Sequence, residues 1–298
     1  MSVPVHPRTA PSLLAPDTAI DLQLHSAYSD GVWDAKELLD HVAAEGFVVV
    51  AVTDHDRPDT TAEVQRLAAE RGVRAVPATE MTTLWDGEPV DVLCYGFDPA
   101  RGALGALAAA TRRAEWENTE VVYANVLRAG YRFPDAGELL PVSEGQPRHF
   151  ADIIALLRGH GHADRLRAIV LEAGHRWVGA ELAAVVAAAH ADGGVCLIAH
   201  PGRGAPYVSF DAPHLDRLRA AVQIDGLEVC HPSHPPELTA TYFSYARTHH
   251  LLVSTGSDSH GTPDQMPIKY RAEMSRHLLA ACRRERRCGL HGWDTAVR

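Results

Sequence analysis

Six strand-like segments of this 298-residue chain each run into a cluster of His, Asp or Glu, and that repetition restricts the fold more than any other feature. The first segment is Asp21-Leu22-Gln23-Leu24-His25. Ile20, Leu22 and Leu24 would face one way and Asp21, Gln23 and His25 the other, the alternation of a strand with one apolar face. It runs into Ser29-Asp30-Gly31, a turn cluster. Phe47 to Val52 is a continuous apolar run suited to burial on both faces, and it ends in Thr53-Asp54-His55-Asp56. The stretch from Arg74 ends in Glu80, that from Gly194 in His200, that from Asp225 in His231 and His234, and that from Leu251 in Asp258 and His260. A further strand, Val90 to Gly96, carries Asp91. Helical periodicity separates most of these strands, as at Ala35, Leu38, Leu39 and Val42, so an α/β fold with a mostly parallel sheet is expected. Such folds build their sites at the C-terminal ends of the strands.

The alternation stops near Asp98-Pro99. From there to about residue 185 the chain is rich in Ala, Leu and Arg and reads as helical. Trp116, Val121, Val122, Val126 and Leu127 fit one helix face, and Phe150, Ile153, Ile154 and Leu157 another. The expected organisation is a loose arm over 1–19, one α/β body from 20–98 and 186–285, a helical insertion over 99–185 capping it, and a tail over 286–298. A net charge of −10 argues against a nonspecific nucleic-acid binder, so no stable nucleic-acid complex is expected. The basic run Arg283, Arg284, Arg286 and Arg287 reads as a solvated helix end. The five cysteines show no CxxC spacing. Cys94, Cys196 and Cys230 sit in apolar strands and are expected to be buried thiols. No signal pattern and no apolar run of membrane-spanning length occurs, so a soluble cytoplasmic protein without membrane contact is expected.

Eighteen histidines raise the weight of metal or acid–base chemistry. Gathering many imidazoles and carboxylates at one rim is costly unless something binds them. Divalent cations are the economical answer. The ordered set Q-x-H-x(4)-D-G, T-D-H-D, a lone Glu after a strand, A-H-P-G-R and G-S-D-S-H-G resembles the PHP (polymerase and histidinol phosphatase) family of metal-dependent phosphoesterases. It looks most like the branch that dephosphorylates nucleoside 3′,5′-bisphosphates and trims short RNA. The likeness spans about 20–98 and 185–275.

The resemblance implies a distorted (β/α)7 TIM-like barrel with a helical insertion. It also implies two or three divalent ions, manganese first, with iron, zinc or magnesium as alternatives. One ion would lie among Gln23, His25, Glu80 and Asp258, a second among Glu80, Asp91 and His200, and a third among Asp30, His55 and His260. Arg203 and His234 would face the phosphate, and Arg148-His149 would reach in from the insertion. His231 and His234 are the candidate proton donors. His231 reads equally well as a strand-end residue with its ring in solvent. The substrate would be a small, nucleotide-like phosphate ester, and homo-oligomerisation is left open. Two positions and one segment depart from the family pattern: Gln23 and Asp91 stand where His is usual, and Gln146-Pro147-Arg148-His149 exchanges an Arg and a Pro. These departures keep two alternatives in play: a phosphatase or phosphodiesterase of another small metabolite, or a non-catalytic barrel that binds nucleotide or metal.

Overall fold

In the computed structural model, residues 14–141, 144–204 and 209–284 are described. Most of the expected arm, Cys288 and the basic tail from Arg286 lie outside them. The chain opens with β1 (Ala19–Leu24), α1 (Ala35–Ala44), β2 (Val49–Val52), α2 (Thr61–Glu70), β3 (Arg74–Ala75), β4 (Ala78–Trp85) and β5 (Glu88–Tyr95). Helices α3 (Ala103–Arg128), α4 (Ala136–Leu139), α5 (Phe150–Gly159) and α6 (Leu166–Glu172) follow. Alternation then resumes with β6 (Ala180–Glu181), α7 (Leu182–Ala191), β7 (Val195–Ile198), α8 (Ala212–Ala221), β8 (Gly226–Cys230), α9 (Pro236–Thr248) and β9 (Leu252–Thr255). Last come β10 (Tyr270–Arg271) and α10 (Arg276–Arg284).

The fold is α/β, as expected, but the strands form two mixed sheets in place of one closed barrel. One sheet has the order β10-β1-β2-β3 and the other β6-β4-β5-β7-β8-β9. Among the described residues, the sheets are joined by the single-residue bridges Leu24 to Ser259 and His55 to Glu80. Both bridges lie where strands end, so the sheets approach each other at the rim that carries the polar clusters. The segment read as one strand from Arg74 to Glu80 is two, assigned to different sheets. Pro77 falls between them, and proline interrupts a ladder because it has no N–H.

The second sheet is also less parallel than expected. β4 and β5 form an antiparallel hairpin from Ala78 opposite Tyr95 to Trp85 opposite Glu88. Its turn is Asp86-Gly87, both at positive φ (53° and 80°), which suits a two-residue hairpin loop. β5 also runs antiparallel to β7, whereas β7, β8 and β9 are mutually parallel. Because β5 is reversed, its early residue Asp91 lies beside the C-terminal end of β7, with the Ala199 N–H bonded to the Asp91 carbonyl at 3.0 Å.

Apolar faces cover both sheets. Leu38, Leu39 and Val42 of α1 and Val64 and Ala68 of α2 pack on Val50 and Val52. Val185 and Val186 of α7, Leu215 of α8 and Tyr242 of α9 pack on Val92, Cys196, Ile198 and Leu227. Leu278 and Cys282 of α10 join Ile20, Val49, Ala78, Leu93 and Leu197, tying the two sheets together. Cys94, Cys196, Cys230 and Cys282 are buried cysteines, as expected for the first three. The helical stretch has its own apolar cluster, built from Val122 and Val126 of α3, Ile153, Leu156 and Leu157 of α5, and Ile169 of α6. The expected α3 face is narrower than read from the sequence: Trp116 and Val121 are exposed. At its start α3 packs instead through Leu104 and Ala108 on the sheet cluster, so one helix belongs to both cores. Among the described residues, no helix is long and apolar enough to cross a membrane.

Candidate metal centre

Each polar cluster reaches the rim for a local reason. Gln23 and His25 alternate with the apolar side chains of β1, and both are fully buried. The loop after His25 is held by Asp54, which accepts from the Ser26 N–H (2.7 Å), the Ser26 hydroxyl (2.7 Å) and the Ser29 hydroxyl (2.9 Å). That positions Asp30. Gly31 is required beneath it, since a Cβ there would sit 2.5 Å from the His25 carbonyl oxygen. Asp56 accepts the Thr82 N–H of β4 at 3.2 Å, from a left-handed backbone (φ 53°).

Glu80 is the centre of the arrangement. Its Oε2 lies 3.2 Å from His25 Nε2 and accepts from Gln23 Nε2 at 2.9 Å, while its Oε1 lies 3.0 Å from His200 Nε2. His25 Nε2 is also 3.1 Å from Asp258 Oδ1, and His25 Nδ1 is 3.6 Å from Asp30 Oδ1. His260 and His55 approach Asp30 Oδ2 at 3.3 and 3.9 Å, and His200 approaches Asp91 Oδ2 at 3.8 Å. Three sets, His25/His55/Glu80, His25/Asp30/His260 and Glu80/Asp91/His200, each hold ligand atoms within 4.8 Å of one another. These residues fit divalent cations on an observation independent of any likeness. Both His25 ring nitrogens are buried and lack a hydrogen-bond partner among the described residues, although carboxylates surround them. Imidazole with carboxylate is a donor set that suits manganese, iron, zinc and magnesium to differing degrees.

Burial alone would raise the Glu80 carboxyl, yet the imidazoles of His55, His200 and His25 hold it well below its ordinary value. Burial would likewise depress His55, but the charges of Glu80 and Asp30 lift it to about 9. Asp91, buried beside the charge of Glu80, is raised to about 6.

Next to the cluster stand Arg203, His231 and His234. Arg203 Nη1 lies 3.7 Å from Asp258 Oδ2 and 3.5 Å from His200 Nε2. His231 is buried, not in solvent. The Ser233 N–H donates to its Nδ1 at 3.1 Å, which leaves the proton of the neutral ring on Nε2, 3.4 Å from Asp258 Oδ2. His234 corrects the expectation that it donates a proton to substrate. The Gly202 N–H donates to its Nε2 at 3.0 Å, so its Nδ1–H must serve the Val229 carbonyl at 3.0 Å. Both nitrogens are committed to backbone, and burial pushes the ring down to about 4.

From the helical stretch, His149 stands at the start of α5 with its Nδ1 3.7 Å from Glu115 Oε1. Arg148 is exposed, and its backbone N–H binds Asp152 Oδ2 at 2.7 Å. Arg112 of α3 donates to the Asp56 carbonyl, fastening that helix to the rim beside His55. Tyr28 and Trp33 pack locally, under Arg57 (5.4 Å) and against His41 (4.8 Å). Sequence reading passed over Asp54 and Glu228. Both are fully buried carboxylates in segments that otherwise look like apolar strand or turn, and that contrast was the available signal.

No protein-family model matches the chain. It is 29% identical over 263 residues to a 3′,5′-nucleoside bisphosphate phosphatase of Chromobacterium violaceum, covering 81% of this chain and 87% of that one. It is 25% identical over 248 residues to a 5′-3′ exoribonuclease of Haemophilus influenzae, covering 80% and 89%. Among solved structures it is similar to a candidate metal-dependent phosphoesterase from Bifidobacterium adolescentis. There the TM-score is 0.75 and the identity 25%, covering 88% of this chain and 96% of the other.

Proposed function

We propose that this chain, which resembles the PHP-like metal-dependent phosphoesterases in sequence and fold, hydrolyses a phosphate monoester of a small nucleotide-like molecule, such as the 3′-phosphate of a nucleoside 3′,5′-bisphosphate. The observation that carries the reading is Glu80, whose two oxygens face different sets of ligand-type residues, with Arg203 alongside. His25, Asp30, His55 and His260 would hold one cation, and Glu80, Asp91 and His200 another; Asp258 lies against the first set. Divalent cations there would supply Lewis acidity, activating water and neutralising phosphate charge. The chain's own groups do the rest. Arg203 offers a charged donor to the equatorial phosphate oxygens, which gain charge as the P–O bond breaks. His231 keeps Asp258 oriented through its Nε2–H.

The test is phosphate release by the purified protein, before and after stripping with a chelator. Release should vanish on stripping, return with a divalent ion, and be faster on a nucleoside 3′,5′-bisphosphate than on an aryl phosphate. No release with any divalent ion would leave a binding barrel. Release from the aryl phosphate alone would point to another metabolite.

Gln23 bears on how many ions are held. Its amide donates to Glu80 Oε2, occupying a lone pair that a ligand position would need, and its Oε1 has no partner among the described residues. Gln23→His replaces that donor by an imidazole that can ligate. We expect about one additional divalent ion per chain by elemental analysis; unchanged metal content would show that the amide already coordinates.

A further inference from the structure

We infer that Glu228 is a positioning residue that holds the β7 loop so that His200 and Arg203 face the cation site. His200 has a left-handed backbone, φ 27°, which a residue with a Cβ adopts only when its surroundings impose it. The imposing contact is visible: the His200 N–H donates to Glu228 Oε2 at 2.8 Å. Glu228 lies in the middle of β8, beside the loop, and is fully buried. Such a carboxylate is out of place in an apolar strand unless it has a task.

Other contacts grip the same loop. His234, from the turn after β8, accepts the Gly202 N–H at 3.0 Å, and the Arg203 N–H closes back on the His200 carbonyl at 2.9 Å. The loop therefore leaves its parent strand and is seated on β8 and the turn after it. The seat puts His200 Nε2 3.0 Å from Glu80 and Arg203 3.7 Å from Asp258. Gly256, directly after β9, makes room for it. A Cβ there would lie 2.6 Å from Glu228 Oε1 and 2.4 Å from Gln23 Cβ.

The inference rests on the cation site proposed above, and its test separates the two. Calorimetric titration of the chelator-stripped protein with Mn²⁺ reads metal affinity without needing turnover, and phosphate release is measured in parallel. Glu228→Gln keeps a carbonyl acceptor for the His200 N–H and should stay within about threefold of wild type in Mn²⁺ affinity. Glu228→Leu removes the acceptor, and Glu228→Asp draws it back by one methylene. Both should weaken Mn²⁺ binding at one site by roughly 10–100-fold, the range for an outer-shell partner of a ligand, and lower kcat more than they raise KM. Glu228→Asp keeps the inference testable if Glu228→Leu does not fold. Wild-type Mn²⁺ affinity in Glu228→Asp, or a Glu228→Gln as impaired as Glu228→Asp, would overturn it. Wild-type protein that binds Mn²⁺ but releases no phosphate would overturn the proposed activity and leave this inference standing.

Discussion

Glu80→Gln should lower turnover by on the order of 10³-fold, equivalent to about 4 kcal/mol of transition-state stabilisation. The substitution preserves volume and removes only the charge. It matters more than any other because Glu80 sits between the two groups: His25 lies 3.2 Å from one oxygen and His200 3.0 Å from the other. An amide can present an oxygen to one of them only by turning its NH₂ toward the other. Metal content should fall with activity, which separates this variant from one that damages catalysis alone. The fold should survive, since Gln fills the space of the fully buried Glu80 side chain and keeps one oxygen acceptor. A Glu80→Gln protein with full metal content and wild-type turnover would end the case for this centre.

Asp258→Asn should cost about 10²- to 10³-fold in kcat, the scale of losing one charge-stabilising contact in a closed site. Asp258 links the two halves of the site. One oxygen lies 3.1 Å from His25; the other lies 3.4 Å from His231 and 3.7 Å from Arg203. Without its charge, Arg203 and His231 lose a common anchor, so KM should rise while kcat falls. Asn is the informative replacement because Asp258 has a left-handed backbone, φ 53°, which Asn tolerates and Ala does not. The melting temperature should therefore change by only a few degrees. Turnover within fivefold of wild type would remove Asp258 from the site.

Much of the centre was legible as residue types in place. Strand alternation put Gln23 and His25 on one face of β1, and ligand-type residues recur at strand ends. Other parts were not. Asp91 sits near the start of its strand, where a parallel reading puts it at the wrong end. It meets Glu80 and His200 because the Asp86-Gly87 turn reverses β5. His234 looks like a catalytic histidine in sequence, yet two backbone groups use both its nitrogens. Glu228 gave no motif at all.

The sequence by itself determined the α/β class and the chemistry available at the strand ends, because side-chain alternation and ligand type are local properties. Only the tertiary structure decided which side chains share a partner, where the sheets stop short of a closed ring, and which polar residues serve the backbone. Those outcomes depend on strand order and direction, set by hydrogen bonds between segments far apart in the chain, which hydrophobic periodicity does not encode.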